Sequence, residues 1–533
     1  METKKKNSTF VLGAAVLAAA GLSCKVIGVL IRVWAYAVIG EEGMVYYEAV
    51  FPFYSWLLII SSSGVPTAIS RMVARSTTLG DWANARRILK KSVLLLGSVG
   101  LVTTALMYFG APWFAEHFIG KDSSYVIAFR ALSPALFFVS VMCAYRGYLQ
   151  GMQHMNGTAL SQLCEQVVKA GAGLFLASRW IRKGPVYGAA GILIGIVISE
   201  ILALGVVVLF RYKNRRQYFP LGASETPQDT SPVVSTLLSI AVPITLGASV
   251  IPITSMLDVR MIFSRMSSFM TETEVDRSYV ALSTNVRSLI NLPASFTQAL
   301  SMSLVPAISA AQAKQDKPGM HSAAGLGLKL SMAIGMPCAA GLFVLGGPVI
   351  AMLFRSITAE SLAIAERIMK VASLTVIFIS LVQTMTGELQ GIGKHRLPVY
   401  CLLAGGISKV VLNYFLLAIP SVNILGASYS NIACYGVAGV LDLLLFMKYS
   451  GYRPEIKDVF LKPLVCSLIM GVAAAGAYKL FTRLRPGTVA TVAAVLAGIA
   501  VYGVLVIVCR LFTPEELENI PGGRKLKKLL RLH

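Results

Sequence analysis

A stripe of cations and glycines follows one face of the first apolar segment of the chain. Its members, spaced by 4, 3 and 4 residues, are Gly21, Lys25, Gly28 and Arg32. That spacing aligns them on one face of an α-helix. A cation at the centre of a membrane helix costs about 2.5–3.5 kcal/mol on insertion scales, so it normally faces a bundle interior or a wet cavity. Lys25 and Arg32 are therefore predicted to line a cavity that receives an anion. The alternative is that Arg32 reaches the outer interface while Lys25 pairs with a carboxylate.

Two later apolar segments carry further charges. The seventh contains Asp258 and Arg260, and the eighth contains Arg287. Guanidinium groups bind phosphate oxygens in pairs, so a cluster of such cations would suit a phosphate or a pyrophosphate. The predicted substrate-binding cations are Lys25, Arg32, Arg260 and Arg287. The alternative is that these cations pair within the protein, with Asp258 or with Glu48.

Acidic residues inside apolar segments could hold ion pairs or couple transport to ions. Glu165 and Lys169 are spaced i,i+4 with the acid first, which is the favourable order for an ion pair within a helix. A structural ion pair and a role in ion coupling both stay open for these two residues. The candidate cavity or coupling acids are Glu48, Glu165 and Asp258, and the isolated acids that could bind a proton or sodium are Glu200, Glu388 and Asp442.

Long apolar segments must position these residues. The 533-residue chain is 56% hydrophobic and 14% charged, whereas a soluble protein would carry about 25% charged residues. About 14 stretches are long enough to cross the ~30 Å hydrocarbon core of a bilayer as helices. They are 9–39, 44–70, 88–112, 125–149, 157–178, 186–210, 235–264, 278–310, 322–354, 361–389, 397–418, 424–447, 458–480 and 488–511. The chain is predicted to be an all-α polytopic membrane protein without a sizeable soluble domain.

The two halves of the chain resemble each other. Three matches share an offset of 240 residues: Val65-Pro66 with Val305-Pro306, Leu149-Gln150-Gly151 with Leu389-Gln390-Gly391, and Lys169 with Lys409. Because each half holds an even number of spans, the repeats should have the same orientation in the membrane, related by a pseudo-two-fold axis along its normal. The predicted fold is therefore two six-helix lobes followed by two C-terminal helices.

Composition and charge give the predicted boundaries and orientation. The boundaries are an N-lobe at 1–211, a cytoplasmic linker at 212–234, a C-lobe at 235–450, helices 13 and 14 at 451–511 and a basic tail at 512–533. Most Lys and Arg of the loops fall on the side that both termini share, which the positive-inside rule assigns to the cytoplasm. The tail ends in a segment with five Lys and Arg and is predicted to rest on the anionic inner leaflet.

Several classes of function find no support in the sequence. The formal net charge of +23 could indicate a nucleic-acid partner, but basic cytoplasmic loops account for it, and no nucleic acid is expected. The sequence contains no Walker loop, HExxH motif, nucleophile elbow or Cys/His ligand cluster, so neither an enzyme activity nor a cofactor or metal is predicted. The eight Cys include no CxxC pair and are interpreted as reduced, membrane-embedded residues.

Five motifs carry a resemblance to a known family. They are KVIGVLIR at 25–32, GEEG at 40–43, GVPTAIS at 64–70, YLQG at 148–151 and SQLCEQVVK at 161–169. Together they resemble the stage V sporulation protein B branch of polysaccharide exporters, and the similarity runs across nearly the whole chain. That branch belongs to the superfamily of multidrug/toxin extruders, O-antigen flippases and MurJ lipid II flippases.

The resemblance implies fourteen helices, a central cavity lined by helices 1, 2, 7 and 8, and alternating access by rocking of the two lobes. It also implies a lipid-linked pyrophosphate sugar as cargo, cavity cations that contact the pyrophosphate, and a groove for the polyprenyl tail on the last two helices. Lys25 matches the first cavity cation of helix 1 in MurJ relatives, and Arg32 fits the sporulation-type pattern. The chain departs from the family on helix 2, where Arg71 lies near the cytoplasmic end rather than in mid-span.

We therefore predict a flippase of the bacterial cytoplasmic membrane that moves an undecaprenyl-pyrophosphate-linked glycan, in the first instance the peptidoglycan precursor lipid II. Its expected partners are the lipid-linked glycan, membrane lipids and cell-wall synthesis proteins, and its expected role is in cell-wall biogenesis, cell shape or sporulation. One alternative is a cation- or proton-coupled multidrug exporter of the same superfamily, whose cavity would favour acids. Others are a flippase for a teichuronic or O-antigen-type polysaccharide, and a channel or scaffold that recruits glycan polymerases.

Overall fold

The computed structural model describes residues 2–121, 123–214, 226–227, 232–485, 487–513 and 516, with side chains from Ala20 onward except that of Leu22. These residues form helices joined by turns, and no β-strand occurs among them. The all-α prediction is therefore confirmed. The chain divides into two compact units, Met1–Val280 and Ala281–His533.

The first unit is built from helices that follow one another closely. They are α1 (Glu2–Ser62), α2 (Val65–Thr78), α3 (Trp82–Phe109), α4 (Ser124–Leu132), α5 (Pro134–Gly151), α6 (Met155–Trp180), α7 (Pro185–Lys213), α8 (Val233–Met266) and α9 (Glu272–Val280). A turn at Ala111–Trp113 leads into the π-helix Phe114–Ile119 between α3 and α4, and a 3-10 turn at Ile181–Lys183 joins α6 to α7.

The second unit begins with the π-helix Ala281–Val286, which continues α9 of the chain. Its other helices are α10 (Arg287–Ala313), α11 (Lys317–Leu353), α12 (Ala359–Ala372), α13 (Thr375–Gly391), α14 (Leu397–Leu416), α15 (Leu425–Ser450), the π-helix Lys457–Leu461, α16 (Lys462–Leu484) and α17 (Thr488–Val508). Helices α16 and α17 pack against each other and against α11.

Most of these helices have the length and composition of membrane spans. Ten described stretches qualify, or eleven when α12 and α13, which meet at a bend of 45°, count as one span. The first stretch, Ser23–Thr78, is 56 residues long, more than twice the ~20 residues that one crossing needs. Helices α6 and α10 are also long, at 26 and 27 residues, but carry more polar residues. A polytopic protein is thus confirmed, while the count of 14 spans stays a prediction.

Helix α1 changes direction at Gly40. The φ of this residue is 66°, in the left-handed region that a residue with a Cβ adopts only at a cost of roughly 1–2 kcal/mol. The gap between the first two predicted spans, residues 40–43, coincides with this bend. Arg32 therefore precedes the bend and Glu48 follows it, so the bend controls how these two side chains approach each other.

The same helix contact recurs in both units at the 240-residue offset. The equivalent glycines are Gly147 with Gly387 and Gly151 with Gly391. A Cβ at Gly151 on α5 would lie 2.8 Å from the carbonyl oxygen of Ser70 on α2. In the second unit, a Cβ at Gly391 on α13 would lie 2.8 Å from Cβ of Ile308 on α10. Both copies of the repeated LQG motif therefore place a glycine where two helices cross too closely for any side chain.

The division into units does not follow the predicted linker. Helix α8 packs against α1 and α2, so it belongs to the first unit although it follows the linker predicted at 212–234. Residues 215–225 and 228–231 of that linker lie outside the described residues, as does the predicted basic tail apart from residues 512, 513 and 516. The predicted lobe boundaries, and the contact of the tail with the inner leaflet, stay predictions.

Candidate functional site

The bend in α1 brings a predicted cation next to a predicted acid. The Nε of Arg32 lies 3.7 Å from a carboxylate oxygen of Glu48, and their side chains are 20% and 3% exposed. The guanidinium also lies over the ring of Phe51, 5.9 Å from its centroid. The phenol of Tyr279 donates to the backbone carbonyl of Glu48 at 2.8 Å, which fixes this part of α1. Arg32 is therefore held in place by the first unit in the manner of the pairing alternative, and its contact with substrate stays a prediction.

The rest of the cationic stripe faces open space. Lys25 is exposed, and no described atom lies within 4 Å of a Cβ built on Gly21 or Gly28. The stripe predicted from the 4, 3, 4 spacing therefore presents one accessible face with room beside the lysine.

Arg260 and Asp258 have surroundings of their own within the first unit. The Arg260 guanidinium donates to the backbone carbonyls of His117 and Phe118, the latter at 3.1 Å, and lies 5.8 Å from the ring centroid of Phe118. These carbonyls end the π-helix Phe114–Ile119. Asp258 is buried and makes at least one polar or electrostatic contact with the protein. One terminal nitrogen of Arg260, Nη1, is thus engaged by the protein, while the residue as a whole is exposed.

Arg287 differs from the other predicted cations because no partner for it is found among the described residues. It begins α10 of the second unit and is half-buried. Within the described part of the chain it makes no hydrogen bond and no ion pair. A guanidinium carries five N–H donors, so Arg287 offers unused hydrogen-bonding capacity at the start of the 27-residue helix α10. Because it belongs to the second unit, the convergence of all four cations stays a prediction.

Glu165 and Lys169 form the ion pair that their spacing suggested, at 3.4 Å. A second cation, Arg146 of α5, joins them: its terminal nitrogen lies 3.1 Å from the other carboxylate oxygen of Glu165, and its Nε donates to the Ser161 hydroxyl at 3.0 Å. We refer to Arg146, Glu165 and Lys169 as the buried triad. Sequence reasoning missed Arg146, although an arginine inside an apolar helix was a sufficient signal.

A second charged cluster ties α9 to earlier parts of the first unit. Lys121, only 8% exposed, lies 2.5 Å from a carboxylate oxygen of Glu272 and 3.0 Å from one of Asp276. On the other side of α9, the Nε of Arg277 lies 3.8 Å from Glu41. We call these residues the charged clasp. The clasp unites residues far apart in the chain, so no local pattern in the sequence could have revealed it.

The N-terminus of α9 is itself stabilised by a capping contact. The Thr271 hydroxyl and backbone N–H both donate to the carboxylate of Glu274, at 2.7 and 2.8 Å, as in a capping box. These hydrogen bonds hold the pKa of the Glu274 carboxyl below its ordinary value. The cap fixes where α9 begins and so positions Glu272 and Asp276 toward Lys121.

The arrangement contains charge but no metal centre. Among the residues that the structure describes, no group of three His, Cys, Asp or Glu could hold a metal ion, and the cysteines are free thiols. The chemistry available to these sites is therefore binding of anions by guanidinium and ammonium groups, and exchange of protons by buried carboxyls.

Comparison with protein families gives these features their context. Residues 10–312 match the family model described as polysaccharide biosynthesis protein, which covers more than half of the chain. The chain belongs to the polysaccharide biosynthesis protein family. A second model, MatE, matches residues 259–415. The membership confirms the resemblance seen in the motifs of α1, α2, α5 and α6.

Three relatives from Bacillus subtilis match this family member along most of their lengths. The uncharacterized membrane protein YabM is 27% identical over 97% of this chain and 96% of its own length. Stage V sporulation protein B is 26% identical over 97% and 98%, and the lipid II flippase MurJ is 26% identical over 88% of each chain.

Two solved structures share its fold. The lipid II flippase MurJ in an inward closed conformation has a TM-score of 0.67 at 17% identity, covering 93% of this chain and 98% of the other. A multidrug resistance MATE transporter of the MOP superfamily, facing inward, has a TM-score of 0.65 at 16% identity, covering 81% and 98%. The chain is thus a multi-pass membrane protein that shares its fold with these transporters. The named activities of its relatives and structural neighbours are those of flippases and transporters rather than enzymes.

Proposed function

We propose that this transporter is a flippase that moves an undecaprenyl-pyrophosphate-linked glycan, and that its glycan is the peptidoglycan precursor lipid II. The observation that carries the proposal is Arg287. Arg287 is half-buried at the start of α10, a helix predicted to span the membrane, and has no acceptor among the described residues. A bound anion would supply that acceptor, because unpaired charge at membrane depth is costly. The paired oxygens of a pyrophosphate match the guanidinium fork.

The first unit carries two of the predicted substrate-binding cations. Lys25 is accessible beside the open positions Gly21 and Gly28, so an ammonium group can meet a phosphate without a clash. Arg32 is kept extended by Glu48 at 3.7 Å. That distance is longer than a strong charged hydrogen bond, so the guanidinium retains donors with which to bind a pyrophosphate oxygen beside the carboxylate. Glu48 would then be the ion-pair partner of Arg32 while no substrate is bound.

The transport cycle that follows is alternating access with both termini in the cytoplasm. The lipid II flippase MurJ is both a relative and a structural neighbour of this chain, which supports a lipid-linked cargo. The similarity to stage V sporulation protein B supports a role in wall assembly during growth or sporulation. Cell-wall synthesis proteins, which receive the precursor, are the proposed partners, and the basic tail is proposed to contact the anionic inner leaflet.

A multidrug exporter of the same superfamily is the second candidate. The MatE match at 259–415 and the likeness to a MATE transporter favour it. A cationic drug would need acids where it binds, whereas the accessible ionisable groups of the predicted site are cations such as Lys25 and Arg287. A flippase for another lipid-linked polysaccharide would use the same pyrophosphate contacts and differ only in the sugar.

Complementation distinguishes these candidates. The chain is expressed in cells depleted of their own lipid II flippase, and surface exposure of the precursor is measured with growth. We expect exposure and growth to be restored. Failure in this assay together with increased drug resistance would instead establish the exporter. Rescue of cells that lack a different polysaccharide flippase, without lipid II exposure, would establish the third candidate.

A further inference from the structure

One carboxyl of the second unit is buried without any hydrogen-bond partner. Glu388 lies near the end of α13 and is 0% exposed. Neither of its carboxyl oxygens meets a donor among the described residues. Met385 and Leu389, its neighbours along α13, belong to the apolar core of the unit. The carboxyl is therefore enclosed where only apolar contacts are made.

No described residue forms an ion pair with Glu388. Helices α10, α11, α12, α14 and α15 pack against α13, and Tyr452, which follows α15, interacts electrostatically with the carboxyl. The charged or titratable residues of these helices have other partners. His321 contacts the Ser450 carbonyl, and Lys329 pairs with Glu516. Lys370 pairs with Glu366, the Thr386 hydroxyl donates to Asp442, and Lys409 has an interaction of its own. Arg287 is the first residue of α10, whereas the end of α13 packs near Ile308 in the C-terminal part of that helix.

The equivalent position in the first unit is built differently. At the 240-residue offset Glu388 corresponds to Tyr148, whose ring lies 5.5 Å from the Arg211 guanidinium. The residue equivalent to Arg211 is Gly451, with a φ of 74°, which has no side chain to offer. The second unit thus holds an acid where the first holds a phenol, and it lacks the cation that could neutralise that acid.

Burial of an unpaired carboxylate costs several kcal/mol even after relaxation, so the packed core accommodates Glu388 in its neutral form. Ionisation requires contact with water. Residues 393–396, which follow α13, are exposed and begin five residues beyond Glu388. The Tyr452 ring, tilted against that of His321 with centroids 5.7 Å apart, belongs to the same apolar core cluster as Met385 and Leu389. Packing of this end of the unit and protonation of Glu388 are therefore thermodynamically linked.

We propose that Glu388 is a proton-binding site whose protonation controls closure of this end of the second unit and thereby the pH dependence of transport, an inference that rests on the proposed function for its meaning in transport. The carboxyl holds a proton while the core around Tyr452 is packed. When that end of the unit opens to water, the O–H bond breaks, the proton passes to water and the carboxylate stays hydrated. Reclosure requires that a proton be taken up again.

The proton itself can be detected without any transport assay. The full chain is reconstituted in lipid, and infrared spectra are recorded for the wild type, Glu388→Gln and Glu366→Gln, a control at an exposed ion pair. We expect the wild-type minus Glu388→Gln difference to contain the carbonyl band of a protonated carboxylic acid at neutral pH, and the control difference to lack it. A carboxylate band at this position instead would overturn the proposal. Glu388→Leu, which also removes the acid, provides the same difference if Gln disturbs folding.

Coupling is tested in cells depleted of their lipid II flippase, at mildly acidic and mildly alkaline external pH. We expect precursor exposure by the wild type to depend on pH and exposure by Glu388→Gln to lose that dependence. Equal pH dependence of both chains would overturn coupling through Glu388. If neither chain exposes the precursor while the infrared band is present, the proton site stands and the proposed substrate fails, so the two failures are distinguishable.

Discussion

The guanidinium of Arg32 lies 3.7 Å from the carboxylate of Glu48, across the bend that Gly40 makes in α1. The pair joins the two parts of the first helix and neutralises a cation that we propose to bind the cargo. At 3.7 Å it is longer than a strong charged hydrogen bond.

Removal of the acid should therefore leave substrate binding intact, whereas removal of the cation should not. Glu48→Gln is expected to bind undecaprenyl pyrophosphate at least as well as the wild type, because the competing carboxylate is gone. Arg32→Gln should weaken binding by about 10- to 100-fold, since a hydrogen bond to a charged group contributes about 1.5–3 kcal/mol. Binding of the purified chain in detergent measures both. Equal loss in the two variants would show that the pair is structural.

The charged clasp should contribute more free energy than an exposed ion pair. Lys121→Met and the paired change Glu272→Gln with Asp276→Asn, alone and combined, form a double-mutant cycle. We expect a coupling free energy of about 1–3 kcal/mol from thermal unfolding, because Lys121 is 8% exposed between its two acids.

The matched control for the clasp is the exposed pair of Lys370 and Glu366, which are 3.2 Å apart and about half exposed. Its coupling free energy should be no more than about 0.5 kcal/mol. Equal coupling free energies in the two cycles would mean that the ion pairs of the clasp are solvated and stabilise the protein no more than an exposed pair does.

The buried triad should tolerate removal of all its charges better than removal of its acid. Glu165→Leu leaves Arg146 and Lys169 without their shared carboxylate, and we expect it to destabilise the protein by about 3 kcal/mol. The triple change of Arg146, Glu165 and Lys169 to Leu should be closer to the wild type. Thermal unfolding of the wild type, Glu165→Leu and the triple variant measures their relative stabilities. A triple variant less stable than Glu165→Leu would contradict the assignment of the triad as a structural ion pair.

The repeated glycine contact gives a test of packing. Gly391→Ala places a Cβ 2.8 Å from Ile308 and should cost about 1–3 kcal/mol by overpacking. Gly205→Ala, in the interior of α7 with no described atom within 4 Å of a Cβ, should be neutral or stabilise by up to about 1 kcal/mol. Thermal unfolding of both variants measures the difference. Equal stability would show that α13 and α10 can separate without loss.

Local features of this chain were predictable and long-range ones were not. Hydrophobic stretches gave helices such as α6, predicted at 157–178 and found at Met155–Trp180. Helical spacing identified the pair of Glu165 and Lys169, because both partners lie on one helix. Arg146 lies 19 residues from Glu165 on another helix, and Lys121 lies 151 residues from Glu272. Such contacts depend on which helices become neighbours, which the pattern along one helix does not encode.

The substrate is the central claim, and translocation by the purified chain tests it most directly. Liposomes containing the full chain and lipid II on one leaflet are sampled for lipid II on the other leaflet, with Arg287→Ala and the exposed control Arg355→Ala in parallel. The account predicts translocation by the wild type and by Arg355→Ala, and a strong loss with Arg287→Ala. Translocation that is the same in all three proteins would remove Arg287 from the site, and none by the wild type would contradict the proposed function itself.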